Sequence, residues 1–345
     1  MLNHQCRSNI YDLATKSEDW KSILNDQITD IHTLADHIKI DIQKLEEEYG
    51  YSNIAAAQFP LLVTKTFADR IEKQNLNDPL LMQVLPRKQE LEQHPTFCAD
   101  PVGDKEAQLS DYLLQKYDGR ALLLTNKSCS INCRFCFRKN LLHEIDSATE
   151  TELNNVIEQI AADNSIKEII LSGGEPLLLD DHQLKLILNK IETIGHIQRI
   201  RFHTRMAITI PQRITKNLIH LLEQCSKQII IITHCNHPNE IDSTVSKYLK
   251  QLASTNTALL NQTVLLKDIN DHQNTLSELS QKLFKAGILP YYLHLLDKVK
   301  GAQHFQVNDI TAKIIWKQLQ ESLPGYLVPR LVRETAGENS KTIIC

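Results

Sequence analysis

The sequence predicts an α/β fold built on parallel strands, and three observations carry that prediction. Six short β-branched or leucine-rich runs lie at residues 121–125, 168–172, 199–204, 228–233, 259–266 and 288–295. Longer amphipathic stretches at 148–162, 180–194, 211–225, 241–255 and 274–286 alternate with them. Each run is followed at once by polar or reactive residues. Alternation of this kind argues for parallel strands with crossover helices, as an open doubly wound sheet or as a partial barrel. In either architecture function sits at the carboxyl ends of the strands.

The elements can be justified in order. Residues 1–110 read as a mostly helical region. Apolar spacing predicts helix over 20–28 and over 31–49, with Thr29, Asp30 and Asp41 as caps. A further helical pattern over 55–71 is broken by Pro60. Residues 75–79 form a turn, and 94–103 have the breaker composition of a surface linker. In the α/β region, 111–325, Ser147 with Glu150 predicts a capping box, Asp180-Asp181 caps the next helix, and Pro211 suits a first helical position. Ala286-Gly287 is a helix stop. A last helix over 309–323 ends at Pro324-Gly325. An extended run over 326–333 then opens the C-terminal segment, 326–345.

Composition narrows the function. The chain has 345 residues, an apolar share of 42% and a net charge of −4. That charge is too mild for a nucleic-acid or membrane-surface binder. No apolar run approaches the roughly 20 residues a bilayer span needs, and the N-terminus lacks the apolar core of a signal peptide. A cytoplasmic location is therefore expected, where thiols stay reduced and available to metals. Cys6, Cys98, Cys225, Cys235 and Cys345 are scattered and suggest no disulfide framework.

The residues after the runs carry the chemistry. Cys129-Ser-Ile-Asn-Cys133-Arg-Phe-Cys136 follows the first. Three thiolates on one loop can hold three irons of a cubane cluster and leave the fourth open to a ligand. The alternative is structural zinc, with His143 or a distant residue such as His234 as fourth ligand. Ser172-Gly173-Gly174-Glu175-Pro176 follows the second; glycines let a backbone approach a ligand, and a carboxylate suits an ammonium. His203 closes the third run and Arg205 follows it; His234 and His237 follow the fourth, Lys267-Asp268 the fifth and Asp297-Lys298 the sixth. The His-x-x-His spacing invites a metal, but ligand contacts or structural hydrogen bonds suit these histidines as well.

The cysteine spacing and the Gly-Gly-Glu-Pro motif together resemble the radical S-adenosylmethionine superfamily. That resemblance implies a [4Fe–4S] cluster on Cys129, Cys133 and Cys136, and S-adenosylmethionine bound at Gly173, Gly174 and Glu175. Further segments, among them Cys136-Phe-Arg138-Lys-Asn, residues 260–271, residues 291–297 and residues 334–341, are similar to the lysine 2,3-aminomutase family, as are residues 59–63 and 77–80. The implied fold is a partial (β/α)6 TIM-like barrel of parallel strands with an N-terminal helical region and a short C-terminal cofactor-binding tail. The implied reaction is the conversion of free L-lysine to β-lysine by a 5′-deoxyadenosyl radical and an amino shift on pyridoxal 5′-phosphate.

The resemblance also implies roles. Lys341 becomes the catalytic lysine that joins pyridoxal phosphate, Lys116 and Arg120 meet the cofactor's phosphate, and Gln262 lies beside the cofactor. Arg138 takes the substrate carboxylate, while Asp297 and Glu334 grip its distal ammonium. Three positions depart from the family pattern: Lys116 replaces an arginine, Glu334 an aspartate, and the tail before Lys341 is poor in glycine. The chain ends four residues after Lys341, which resembles the branch that makes (R)-β-lysine for elongation factor P, whose β-lysine ligase is a separate protein. An electron donor such as flavodoxin or ferredoxin is implied as a partner. The competing readings are another radical S-adenosylmethionine enzyme, without Lys341 as cofactor ligand, and a non-catalytic iron–sulfur or zinc protein.

Overall fold

The computed structural model describes residues 19–141, 148–255 and 257–345. In the N-terminal region β1 (Gln27–Ile28) and β2 (Val63–Thr64) pair antiparallel. The main sheet follows in chain order: β3 (Gln108–Ser110), β4 (Leu113–Tyr117), β5 (Arg120–Asn126), β6 (Glu168–Gly173), β7 (Arg199–Thr204), β8 (Gln228–His234), β9 (Thr257–Val264), β10 (Leu289–His294), β11 (Arg330–Arg333) and β12 (Thr342–Ile343). Its spatial order is the same as its chain order. The pairs from β5 to β11 are parallel, and the strands at both ends join antiparallel.

The six predicted strands are β5 to β10. The extended run over 326–333 supplies β11 as a further parallel strand, and the tail adds β12. The sheet thus reaches back to Gln108 and forward to Ile343, across the limits the sequence suggested at 110 and 325.

Side-chain alternation explains how the sheet has both a core and a site. Ile169, Leu171, Ile200, Phe202, Ile229 and Ile231 are buried in one cluster with helix residues such as Ile160, Leu184, Leu188, Leu222 and Leu249. Their neighbours in sequence point the other way, since successive side chains on a strand alternate faces. Ile170, Ser172, Arg201, His203, Gln262 and His294 line a cavity on that inner face. Helices Glu150–Ala162, Asp181–Glu192, Lys216–Gln224, Ser243–Ala253 and Gln273–Lys285 connect the strands.

Most helix signals work as read. Asp30 accepts from the Thr33 amide at 2.8 Å, and Asp41 from the Gln43 amide at 2.7 Å. Asp180 and Gln183 form a capping box. Five expectations need correction. The stretch 20–28 is helical only over Trp20–Asn25, because Asp26 ends the helix and Gln27–Ile28 form β1. The stretch 31–49 is two helices, Ile31–Ile38 and Ile42–Glu47, because Lys39 turns left-handed at φ 57° and stops the first. Ser147 lies outside the described residues; Thr149 caps the helix, with Glu152 reaching back. Pro211 opens a short 3-10 turn, and the helix starts after the Thr215 cap. The supposed surface linker is anchored: Phe97 and Val102 are buried, and the Cys98 amide donates to the Lys298 carbonyl at 3.0 Å.

Among the described residues no helix is long and apolar enough to cross a membrane. One stability prediction follows from the helix stop. Gly287 has φ +87°, and a Cβ there would lie 2.5 Å from the Ala253 Cβ. Gly287→Ala is expected to lower stability by about 2 kcal/mol. Gly195→Ala, which meets nothing within 4 Å, is expected to stay within about 0.5 kcal/mol of the parent. Urea denaturation of both variants checks the contrast.

Candidate active site

A cavity of about 390 Å³ occupies the inner face of the sheet. Lys116, Arg120, Cys133, Cys136, Arg138, Gln262, Asp297, Glu334 and Lys341, all singled out by sequence, line it. Cys129 does not; with Cys133 and Cys136 it lines an adjoining cavity of about 540 Å³ on the N-terminal side. The cysteine loop is therefore the wall between the two. Gly173, Gly174 and Glu175 line neither cavity.

The loop is held from both sides. The Asn132 amide donates to the Leu62 carbonyl at 2.9 Å and the Arg134 amide to the Gln83 carbonyl at 3.0 Å. Arg134 is fully buried, and its Nε and Nη2 donate to the two oxygens of Glu90 at 2.9 and 2.7 Å. On the sheet side Arg205 Nη1 donates to Cys133 Sγ at 2.6 Å, and Nη2 to Gln83 Oε1 at 2.6 Å and Glu240 Oε2 at 3.1 Å.

Burial, reinforced by the neighbouring thiols, pushes Cys129 well above the ordinary thiol range and Cys136 up to about 11. Nearby Arg205, Arg138 and Lys139 only partly offset that burial; a bound metal cluster would stabilise the thiolates. Three thiolates suit three corners of a cubane; of the fourth ligands considered for zinc, His143 lies outside the described residues and His234 meets His203.

The Gly-Gly-Glu turn is packed directly on that loop. A Cβ on Gly174 would sit 2.1 Å from the Ser128 carbonyl oxygen. The Gly174 amide donates to the Asn126 carbonyl and the Glu175 amide to the Ser128 carbonyl, both at 2.8 Å. The Glu175 carboxylate takes four donors: Thr204 Oγ1 at 2.7 Å and the amides of Arg205, Met206 and Leu177 at 2.8 to 3.0 Å. Its oxygens are thus engaged in joining β6 to the turn after β7, rather than facing an external ammonium.

The basic side of the cavity is organised by a residue the sequence did not reveal. Asp104, 1% exposed, accepts from Arg138 Nε at 2.7 Å and pairs with Lys116 Nζ at 2.6 Å. Burial alone would raise its pKa, but Arg138 and Lys116 outweigh that and hold it down to about 2. Arg138 Nη1 also donates to Ser172 Oγ at 3.0 Å, and Lys116 Nζ to the Val102 carbonyl at 2.7 Å. Arg120 stacks on the Tyr117 ring, 4.8 Å from its centroid.

On the acidic side Lys341 Nζ donates to Glu334 Oε2, and Tyr117 Oη donates to Glu334 Oε1 at 2.5 Å. Glu334 is held below the usual carboxyl range: burial opposes this, but Lys341 and the two hydrogen bonds prevail. Asp297 behaves oppositely, and burial raises it to about 7. Asp297 Oδ1, Gln262 Nε2, His203 Nε2 and His294 Nε2 are buried without a hydrogen-bond partner. Such atoms on one cavity wall call for a polar ligand.

His203 and His234 meet, Nδ1 to Nε2, at 3.3 Å. Burial depresses both, His234 to about 4 and His203 well below its ordinary value, and does the same to His294. All three are neutral imidazoles at pH 7. His237 parts from His234 and instead accepts the Asn239 amide at 3.1 Å, so the His-x-x-His pair does not act together. Lys267 and Asp268 do not line the cavity. Asp104, Tyr117 and His294 were missed: the first sits just past breaker-rich sequence, Tyr117 lies in a segment read as preceding the first strand, and His294 reads as an ordinary strand residue.

Comparisons with known proteins give the chain's relatives. Residues 123–240, which contain the cysteine loop, the Gly-Gly-Glu turn and Arg205, match the radical SAM superfamily. The chain is 42% identical over 328 residues to L-lysine 2,3-aminomutase of Haemophilus influenzae, covering 95% of this chain and 96% of that protein. It is 42% identical over 336 residues to L-lysine 2,3-aminomutase of Escherichia coli, covering 97% of each. The structure of Streptococcus suis SuiB bound to S-adenosylmethionine superposes with a TM-score of 0.47 at 14% identity, covering 64% of this chain and 52% of that one.

Two outcomes are expected. Asp104→Asn leaves the buried Arg138 and the half-buried Lys116 without their shared acid and should destabilise the fold by about 3 kcal/mol. In the parent, the depressed Asp104 contributes on the order of 2 kcal/mol that is fully present above about pH 4 and lost as the pH falls through about 2. Thermal melts at acid and neutral pH check both. Gly174→Ala must displace the Ser128 backbone, so iron and sulfide uptake on reconstitution should drop severalfold while far-ultraviolet circular dichroism is kept. Normal uptake would refute the packing argument.

Proposed function

The chain belongs to the lysine 2,3-aminomutase family, and on that premise we propose that it is an isomerase that moves the α-amino group of free L-lysine to the β-carbon. The observation that carries the reading is that two cluster cysteines, Arg138, Asp297 and Lys341 line one cavity. When bound, the cluster with S-adenosylmethionine and the pyridoxal phosphate supply carbon-radical hydrogen abstraction and an electron sink for the migrating amine.

The residues divide the remaining work. Cys129, Cys133 and Cys136 would hold the cluster, while Arg205 orients Cys133 and keeps positive charge beside it. Gly173 and Gly174 would admit the methionine end of S-adenosylmethionine through their backbone, with Glu175 as the brace that shapes the turn. Lys341 would hold pyridoxal phosphate covalently, with Gln262 beside it. Arg120 and Lys116 would face its phosphate. A lysine ammonium has three protons, and Asp104 and the Val102 carbonyl engage two, so one is left for a phosphate oxygen. Arg138, fixed by Asp104 and Ser172, would receive the substrate carboxylate. Asp297 would receive the distal ammonium, joined by Glu334 when that acid is not engaged by Lys341.

Reduced iron–sulfur chemistry needs an electron donor of the flavodoxin or ferredoxin type. A cytoplasmic setting belongs to the same reading, since it keeps the cluster thiols reduced. The product is proposed to be (R)-β-lysine, transferred by a separate ligase to elongation factor P. Co-expression with the factor and ligase, followed by intact-mass measurement, tests that step.

The central experiment is anaerobic: reconstituted protein, reductant, S-adenosylmethionine and L-lysine, with products separated by chromatography. β-Lysine is expected. Deoxyadenosine without β-lysine would sink the aminomutase reading, and neither product would favour a binding protein. The pH dependence is also expected to be specific. A protonated Asp297 attracts an ammonium weakly, and it protonates below about pH 7. The KM for lysine should therefore fall as the pH rises through about 7, by up to tenfold per pH unit below that point. Asp297→Asn should raise KM roughly 100-fold and flatten the profile.

A further inference from the structure

We propose that Glu334 is the partner of the Lys341 ammonium in the cofactor-free chain, and that it becomes available to a second ammonium only while Lys341 is engaged elsewhere. The inference rests on the reading of Lys341 as the cofactor lysine. The two residues are seven apart in sequence but lie across one hairpin: Arg333 of β11 pairs with Thr342 of β12, which sets Glu334 and Lys341 opposite each other just beyond that pair. Lys341 Nζ donates to Glu334 Oε2, and Tyr117 Oη holds Oε1. Both oxygens of this largely buried carboxylate are therefore occupied. Asp297, the other acid of the cavity, has a buried oxygen with no partner. Within the chain's own contacts the two acids assigned to the substrate ammonium are thus unequal: one has protein partners on both oxygens and one has an unpartnered oxygen.

Chemistry turns that asymmetry into an order of events. Only a neutral amine joins an aldehyde: the Lys341 ammonium gives a proton to solvent, a C=N bond forms and water leaves. Lys341 then no longer presents an ammonium to Glu334, and the carboxylate is left beside Asp297 in a water-poor pocket. Two neighbouring acids favour a cation, which the substrate's distal ammonium supplies. When the substrate's α-amine takes over the cofactor carbon, Lys341 is released as an amine and takes up a proton. Glu334 is then the nearest carboxylate to receive it. The longer reach of glutamate suits a partner across the hairpin.

The titratable and charged groups that share the cavity with this pair are Lys116 and Tyr117 from β4, Arg120 from β5, Arg201 and His203 from β7, His234 from β8, Tyr291, Tyr292 and His294 from β10, and Arg138 and Asp297 from the segments beyond. Asp297 is the other carboxylate among them.

Two measurements on the full-length, cofactor-free chain test the proposal. The first titrates pyridoxal phosphate onto the protein at one fixed pH and follows the visible absorbance of the lysine–cofactor imine. Glu334→Gln removes the carboxylate to which Lys341 donates, so half-saturation should come at roughly tenfold less cofactor, while Glu334→Asp should stay near the parent. The second measures L-lysine binding by calorimetry without cofactor. Lys341→Met frees Glu334, so lysine should bind at least about tenfold more tightly than to the parent. The proposal stands only if both readouts move; either one at the parent value overturns it. Should Glu334→Gln fail to fold, the lysine-binding arm alone decides. Absence of any borohydride-fixed pyridoxal phosphate on Lys341 in the parent would defeat the cofactor reading instead, and the cofactor-free arm would still report on the pair.

Discussion

The site depends on the ion pair between Arg134 and Glu90. Arg134 lies inside the cysteine loop, and Glu90 belongs to the N-terminal region. Both are buried, and the guanidinium makes a two-pronged contact to the carboxylate. Removing either partner would leave an unpaired charge out of water, the costliest kind of core defect. The pair therefore fixes where the helical region meets the sheet, and so fixes the loop between them. Arg205 completes the clamp from the sheet side by reaching Cys133, Gln83 and Glu240. With loop and turn locked in this way, the thiols have little freedom of their own, which is the condition for assembling a cluster with one open corner.

The cavity beyond the loop separates charge by sign. Cations gather along β4, β5 and at Arg138, two residues after Cys136, with Asp104 behind them as a shared counter-ion. Carboxylates gather at the end of β10 and on the tail. The histidines between are uncharged, so they add hydrogen-bonding capacity without blurring the two poles. An amino acid with a carboxylate at one end and an ammonium at the other matches that division. The inner face can be so polar because the outer face carries the hydrophobic core: alternate residues of the same strands serve packing and binding.

The sequence made most of this framework legible for identifiable reasons. The strands could be read because fully buried parallel strands are near-continuous apolar runs, such as Gln228–His234 with its four consecutive isoleucines. The cysteine loop could be read because its spacing is local. What stayed hidden depended on contacts between distant segments. Asp104 lies next to breaker-rich sequence, and nothing local shows that its carboxylate is buried between two cations. Glu175 looked like a ligand, but its partners come from residues about thirty positions later. The break at Lys39 was invisible because the apolar spacing continues through a left-handed residue. Pro211 carried a genuine start signal, but for a 3-10 turn that the helix follows.

The tail has a dynamic consequence. β12 is two residues long, exposed and paired on one side only, at the rim of the sheet. Edges of this kind open locally with small free energies, whereas the ladders from β5 to β10 open only with the whole fold. Lys341 therefore sits on the least protected part of a well-protected scaffold. Fraying of a few main-chain bonds would uncover the cavity beside it, so the exchange of a large cofactor need not wait for the barrel to loosen. A ligand covalently fixed to that lysine would in turn staple the rim shut, and protection of the tail against proteolysis becomes a direct gauge of how much of the protein is charged.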